Sequence, residues 1–219
     1  MSIFITLEGS EGTGKSTQAT RLAKRLRGEG YDCILTREPG GTVIGREIRK
    51  VILTPAHHRM CVETELGLYF SDRAQHLREV VWPALEAGRL VISDRFTDST
   101  LAYQGYGRGL SLRLIRSLDR VMTGGFRPHV TLLLDLPAEE GLRRARQRNR
   151  ASAAHGSEGR FEEEELSFHR RVCRGYAKMA AREPDRYSTV SAAGSAREVH
   201  EALWQALKRT HKLPRRKRV

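Results

Sequence analysis

Short apolar runs alternate with helical patterns along the chain. Ile3–Leu7, Cys33–Leu35, Leu90–Ser93, Val130–Leu136 and Tyr187–Val190 read as strands. Several are apolar without alternation, as a strand covered on both faces should be. Between them, the spacing of apolar positions predicts helices over Lys15–Glu29, Thr42–Leu53, Glu63–Ala87, Ser111–Met122, Ala138–Asn149, Glu162–Arg182 and Ala196–Arg209. Pro83 is expected to kink or interrupt the third, since proline lacks an N–H and clashes with the preceding turn. Strands alternating with helices imply right-handed crossovers and an α/β fold with a parallel sheet. Ligands of such sheets bind beyond the carboxyl ends of the strands.

Composition narrows this picture. The 219 residues suit one domain over 1–209, and no internal repeat is visible. The small, polar, Gly-containing stretch Ala151–Gly159 is flanked by arginines and reads as part of a mobile lid over about 143–160. Residues 210–219 are expected to form a basic, disordered tail. No apolar run is long enough to span a membrane, and the opening MSIFITLEG does not read as a signal peptide. Cys33, Cys61 and Cys173 are odd in number and far apart, which points to a reducing, cytoplasmic setting rather than a disulfide framework.

The net charge is +13. Lys208–Val219 holds seven basic residues and no acid, about half of the excess. A second cluster comprises Arg143, Arg144, Arg146, Arg148 and Arg150. By helical count Arg143, Arg146 and Arg150 share one face, and Arg144 and Arg148 another. Their mutual repulsion makes sense if polyphosphate fills the space between them. With Arg160 across the flexible stretch, the whole is expected to act as a closing lid. The alternative is a solvated basic helix.

The strongest chemical signal is Gly9-Ser-Glu-Gly-Thr-Gly14-Lys15-Ser16, which fits G-x-x-x-x-G-K-[ST] between a strand and a helix. Glycines let backbone N–H groups surround a phosphate, and the helix N-terminus adds partial positive charge. Lys15 would reach the β- and γ-phosphates and the Ser16 hydroxyl would bind Mg²⁺. Asp94-Arg95 ends an apolar strand, so a carboxylate suited to a magnesium shell and an arginine suited to a second phosphate should lie at the same sheet edge. Arg37-Glu38-Pro39-Gly40-Gly41 makes a tight turn that could press Arg37 toward that edge, or be an ordinary turn. Tyr69 and Arg73 share a helical face and could stack a base and donate to its carbonyl. A core aromatic beside a surface arginine is the plainer reading. Thr100 and Gln104 are again four apart, and an amide can match a pyrimidine's donor and acceptor edge. A polar surface turn fits them equally. No Ser-His-Asp, HExxH or paired His/Cys metal set appears, and phosphoryl transfer needs none.

Taken in order, LEGSEGTGKST, TREPGGT, SDRAQH, ISDRFTDSTLAYQGYGRG, FRPHVTLLLDL and RFEEEELSFHRRV resemble the thymidylate kinases, within the P-loop nucleoside monophosphate kinases. The likeness runs from Ile3 to about Ala193 and is closest to the bacterial type with lid arginines. It implies a three-layer fold with a five-stranded parallel sheet and transfer of the ATP γ-phosphate to dTMP with Mg²⁺, for dTTP synthesis. It further implies a cytoplasmic homodimer with no membrane and no specific nucleic-acid partner.

By position, Gly9, Ser10, Glu11, Gly12, Thr13, Gly14, Lys15, Ser16 and Thr17 correspond to the ATP loop, with Ser16 and Asp94 at the metal. Arg37 and Arg95 match the arginines that hold the dTMP phosphate, with Glu11 beside them. Tyr69, Arg73, Thr100 and Gln104 match base contacts, and Tyr103 matches the residue crowding the ribose 2′ position. The loop has no basic residue besides Lys15, so Arg146, Arg148 or Arg160 is expected to join Lys15 and Arg95 in catalysis. Tyr69 replaces a usual Phe, Gly159 stands where an Asp often does, and Ser191-Ala192 replaces a common Asp-Ala. Two other readings remain at this point: a kinase for another nucleoside monophosphate, and a basic P-loop protein that binds nucleic acid.

Overall fold

A computed structural model describes residues 2–151 and 159–214. Five strands, β1 (Phe4–Glu8), β2 (Cys33–Arg37), β3 (Leu90–Asp94), β4 (Val130–Asp135) and β5 (Tyr187–Ser191), form one parallel sheet in the order β2-β3-β1-β4-β5. The register sets Arg37 and Leu7 on either side of Asp94, so three strand ends open onto one edge. The expected α/β three-layer fold is present.

Helices cover both faces. On one side α1 (Lys15–Gly28) and α9 (Ala196–Arg209) bury Leu22, Leu26, Leu203 and Leu207 against β1, β3 and β4. Full burial of each such leucine contributes about 1.5–3 kcal/mol. On the other side lie α2 (Val43–Leu53), α3 (Val62–His76), α6 (Leu112–Thr123) and α8 (Leu166–Arg182), packed through Leu66, Phe70, Ile115, Phe168 and Tyr176. A capping box at Ser195 and Glu198 starts α9, and Thr42 caps α2 through the N–H of Gly45.

Four local differences from the sequence reading have physical causes. The helix through Pro83 widens instead of breaking: α3 runs into a π-turn at Leu77–Val81, and α4 (Trp82–Glu86) restarts with Pro83 in its first turn, where a missing N–H is tolerated. The stretch Thr97–Gly107, too polar and Gly-rich to show an apolar period, is helical. It comprises α5 (Thr97–Thr100) followed by a π-turn at Leu101–Gly107, and Thr97–Gly105 is buried throughout. α8 starts at Leu166 rather than Glu162, because Glu162 and Glu164 are drawn to Arg148 and Arg108. At the other end, Thr210–Pro214 is not a free tail: Leu213 packs on the core and Lys212 Nζ donates to the carbonyls of His129 and Asp185. Much of the expected lid, 152–158, and the last tail residues, 215–219, lie outside the described residues. The helix before that gap, α7 (Ala138–Ala151), leads from β4. Among the described residues no helix is long and apolar enough to cross a membrane.

Candidate nucleotide-binding cleft

At the carboxyl edge of the sheet lies a cleft of about 990 Å³. Its floor is the loop between β1 and α1. Gly12 (φ 71°) and Gly14 (φ 84°) take left-handed backbone that a side chain would strain. The tighter constraint is at Gly12, where a Cβ would sit 2.0 Å from the carbonyl oxygen of Gly141 on α7. α1 opens with Gly14 as its N-cap, no side-chain cap and no acid in its first turn. Its first N–H groups are therefore left for an anion.

Lys15 is buried in this floor, and its Nζ donates to the Ser10 carbonyl at 2.6 Å and to Thr13 Oγ1 at 3.3 Å. Burial pulls its pKa down to about 8, helped by Arg95. The Ser16 hydroxyl donates to Asp94 Oδ2, while Asp94 Oδ1 is buried without a partner. A hard cation takes oxygen ligands of this kind, so the pair fits Mg²⁺. Among the described residues no cluster of three or more His, Cys, Asp or Glu could hold a metal.

Arg95 sits just past β3 with φ 74°, a strained value for a non-glycine residue. Its Nη2 donates to Glu11 Oε1 at 2.8 Å and to the Tyr103 hydroxyl at 3.1 Å; its Nη1 reaches Ser99 Oγ at 3.0 Å. Burial opposes the charge on Glu11, but Arg95, Lys15, the Tyr103 hydroxyl and Arg148 outweigh it and hold its carboxyl at about 2. Beneath them Glu8 is fully buried and accepts from Phe96 N, Ser99 Oγ and the Tyr176 hydroxyl at 2.8, 2.6 and 2.9 Å. Burial, reinforced by Asp98, lifts its pKa to about 7. Glu8 thus braces the turn that carries Arg95, a role that sequence reading missed. Its signal was only an acid ending an apolar strand.

The far wall comes from α3 and the Leu101–Gly107 turn. Arg73 is 1% exposed, and three observations define its state. Nε donates to Glu38 Oε2 at 2.8 Å and Nη2 to Thr100 Oγ1 at 3.0 Å, while Nη1 is buried with no partner. Glu38 is itself shared with His76 Nδ1 at 2.8 Å, and His76 Nε2 meets Thr36 Oγ1 at 2.6 Å. Glu38 and His76 stood inside quoted motifs, but nothing in their spacing announced that they hold Arg73. Tyr69, Tyr103 and Gln104 line the same wall, and Arg37 lines the cleft from the end of β2.

The expected arginines divide. Arg144, Arg146, Arg148 and Arg150 line the cleft from α7. Arg143 and Arg144 are partly neutralised by Glu140, and Arg148 pairs with Glu162 at 2.9 Å. Arg146 Nε donates to the Glu162 carbonyl at 3.1 Å. Arg160, expected beside them, does not line the cleft. It is 4% exposed, tied to the Ile52 carbonyl and to Glu65 at 2.6 Å. A buried guanidinium needs a carboxylate, and Glu65 rather than a phosphate supplies it. Of the loop, Glu11, Gly12, Gly14, Lys15, Ser16 and Thr17 face the cleft; Gly9, Ser10 and Thr13 serve its backbone.

Comparison with known proteins agrees with this geometry. A sequence model of the thymidylate kinase family matches residues 7–203. The thymidylate kinase of Desulfosudis oleivorans is 49% identical over 207 residues, covering 94% of this chain and 97% of its own. That of Synechococcus sp. strain JA-2-3B'a(2-13) is 52% identical over 205 residues, covering 94% of each. The crystal structure of thymidylate kinase from Ehrlichia chaffeensis superposes with a TM-score of 0.74 at 30% identity, covering 94% of this chain and 98% of that one.

Proposed function

The chain belongs to the thymidylate kinase family, and from that premise we propose how its residues phosphorylate dTMP to dTDP, with ATP as donor and Mg²⁺ as cofactor. Our reading rests on one observation above the rest: Arg73 lines the cleft and has a buried, unpartnered Nη1 while its other two nitrogens are tied down. A carbonyl oxygen on a base edge, such as O4 of thymine, satisfies that donor.

The donor nucleotide's phosphates lie on the loop Gly9–Thr17, against the free N–H groups of α1 and Lys15. Ser16 and Asp94 would hold the metal, whose positive charge would neutralise the phosphate oxygens. The dTMP phosphate lies between Arg95 and Arg37, with Glu11 and Tyr103 beside the sugar, its base against Tyr69, Arg73, Thr100 and Gln104. A phosphate oxygen of dTMP attacks the γ-phosphorus as the bond to the bridging β,γ-oxygen breaks. The attacking group is already ionised at neutral pH, so no general base is required. Lys15, Arg95 and the α7 arginines Arg146 and Arg148 stabilise the charge that spreads over the transferred group.

Two coarser features complete the proposal. Val51 of α2 and Leu114 and Val121 of α6 are exposed apolar side chains, which favours a homodimer that covers them. The three cysteines are free thiols, which suits a cytoplasmic setting. Arg73→Lys tests the base site, since lysine keeps the charge beside Glu38 but lacks the second arm. The KM for dTMP should rise about tenfold or more, as for a lost hydrogen bond to a charged donor, with the KM for ATP unchanged. An unchanged KM for dTMP would reject the site.

A further inference from the structure

Glu65, on α3 one turn before Tyr69, is 1% exposed and takes part in none of the roles above. Three side chains converge on its carboxylate. Gln104 Nε2 donates to Oε1 at 2.8 Å, Arg160 Nη2 to Oε2 at 2.6 Å, and Arg108 reaches both oxygens at 3.3 and 3.2 Å. The Arg160 and Arg108 guanidinium groups make Glu65 an anchored anion, and an ionised carboxylate can only accept hydrogen bonds. The Gln104 amide must therefore turn its NH₂ toward Glu65. Its carbonyl oxygen is left as the free end in the cleft wall, and among the described residues nothing donates to it.

We propose that Glu65 is a positioning residue for base recognition: it locks the Gln104 amide so that the cleft shows an acceptor to the middle of the base edge. Thymine and uracil carry N3–H there, a donor. Cytosine carries a bare N3, an acceptor, which would face the Gln104 oxygen lone pair to lone pair. Arg73 reads the flanking carbonyl as a donor, so the two residues together present a donor–acceptor pair complementary to the acceptor–donor edge of thymine. Arg160 supports this pair at one remove. Its side chain ties Glu65 to the end of α2 through the Ile52 carbonyl. The inference rests on Gln104 being a base contact.

The test compares dTMP with its N3-methyl analogue, which removes the N3–H donor and keeps both carbonyls. In the native enzyme the analogue should show a KM about fivefold or more above that of dTMP, the cost of a buried acceptor left unpaired. Glu65→Gln frees the Gln104 amide to rotate, because glutamine can donate as well as accept. The KM for dTMP should then rise toward that of the analogue, the analogue's own KM and kcat should change little, and the ratio between substrates should fall toward one. Equal loss on both substrates, or an unchanged ratio, overturns the proposal and leaves Glu65 a purely structural ion pair. If Glu65→Gln does not fold, Glu65→Asp keeps the charge between the arginines but withdraws it from Gln104, and the same ratio decides. Gln104→Leu separates the two levels: if it leaves the native substrate ratio intact, Gln104 is not a base contact and the base-site reading fails before Glu65 is at issue.

Discussion

Lys15 Nζ lies 2.6 Å from the main-chain oxygen of Ser10, inside the loop whose phosphate it is to meet. The ammonium is buried and, among the described residues, hydrogen-bonded to loop oxygens rather than to a carboxylate. Loss of hydration lowers its pKa to about 8. Lys15→Ala should therefore abolish transfer while the fold survives, because the charge it brings to the moving phosphoryl group accounts for several kcal/mol in sites of this kind. The same burial predicts a pH limb. In the free enzyme kcat/KM for ATP should fall as pH rises through about 8, as Lys15 loses its proton. Circular dichroism with initial rates checks the first, and a pH–rate profile the second. Near-normal turnover in folded Lys15→Ala would remove the phosphate-loop assignment.

The α7 arginines make a separable prediction. Arg148 is exposed, lines the cleft and pairs with Glu162. Arg148→Ala should lower kcat about tenfold or more, with a smaller change in the KM for dTMP. Lysine should rescue it only in part, since a point charge lacks the planar fork. Arg143, exposed and paired with Glu140, is outside the cleft and should tolerate alanine within about twofold, roughly 0.4 kcal/mol. Steady-state kinetics on both variants decides the matter, and equal tolerance at both positions would show that Arg148 supplies no charge to the reaction.

Glu8 predicts the shape of the stability curve. In the folded protein its carboxyl holds a proton up to about pH 7, whereas the unfolded chain releases it near the ordinary glutamate value of 4.5. The folded state binds more protons between those values, so this group's contribution to stability is full at low pH and is lost as pH rises toward 7. Glu8→Gln keeps the shape but cannot titrate. Its Tm should lose less than that of the native protein between pH 5 and pH 7. Parallel Tm curves across that range would show that Glu8 is ionised throughout.

The phosphate loop and the cleft landmarks were legible in the sequence because each depends on neighbouring residues: a glycine pattern between strand and helix, an acid and an arginine closing a strand. The carboxylates that hold the cleft's arginines in place were not. Glu38 meets Arg73 across 35 residues and Glu65 meets Arg160 across 95, and no periodicity records such pairings. Arg160 shows the consequence. Its place beside a polar, Gly-containing stretch suggested a catalytic arginine, while its partner Glu65, far away in sequence, draws it behind Gln104. The π-turn at Leu101–Gly107 escaped for a similar reason. Its turn residues follow no 3.6-residue period, yet they put the consecutive side chains Tyr103 and Gln104 on the cleft.

The measurement closest to the central claim is kcat/KM for dTMP against dCMP in the native enzyme, followed by coupled ADP release with ATP and Mg²⁺. Thymine offers O4 to the unpartnered Nη1 of Arg73, whereas cytosine presents an amino donor to a guanidinium that can only donate. Leaving both groups unpaired costs about 1–3 kcal/mol or more, so dTMP should be favoured by about fivefold at the least. Equal kcat/KM for the two substrates would contradict the account.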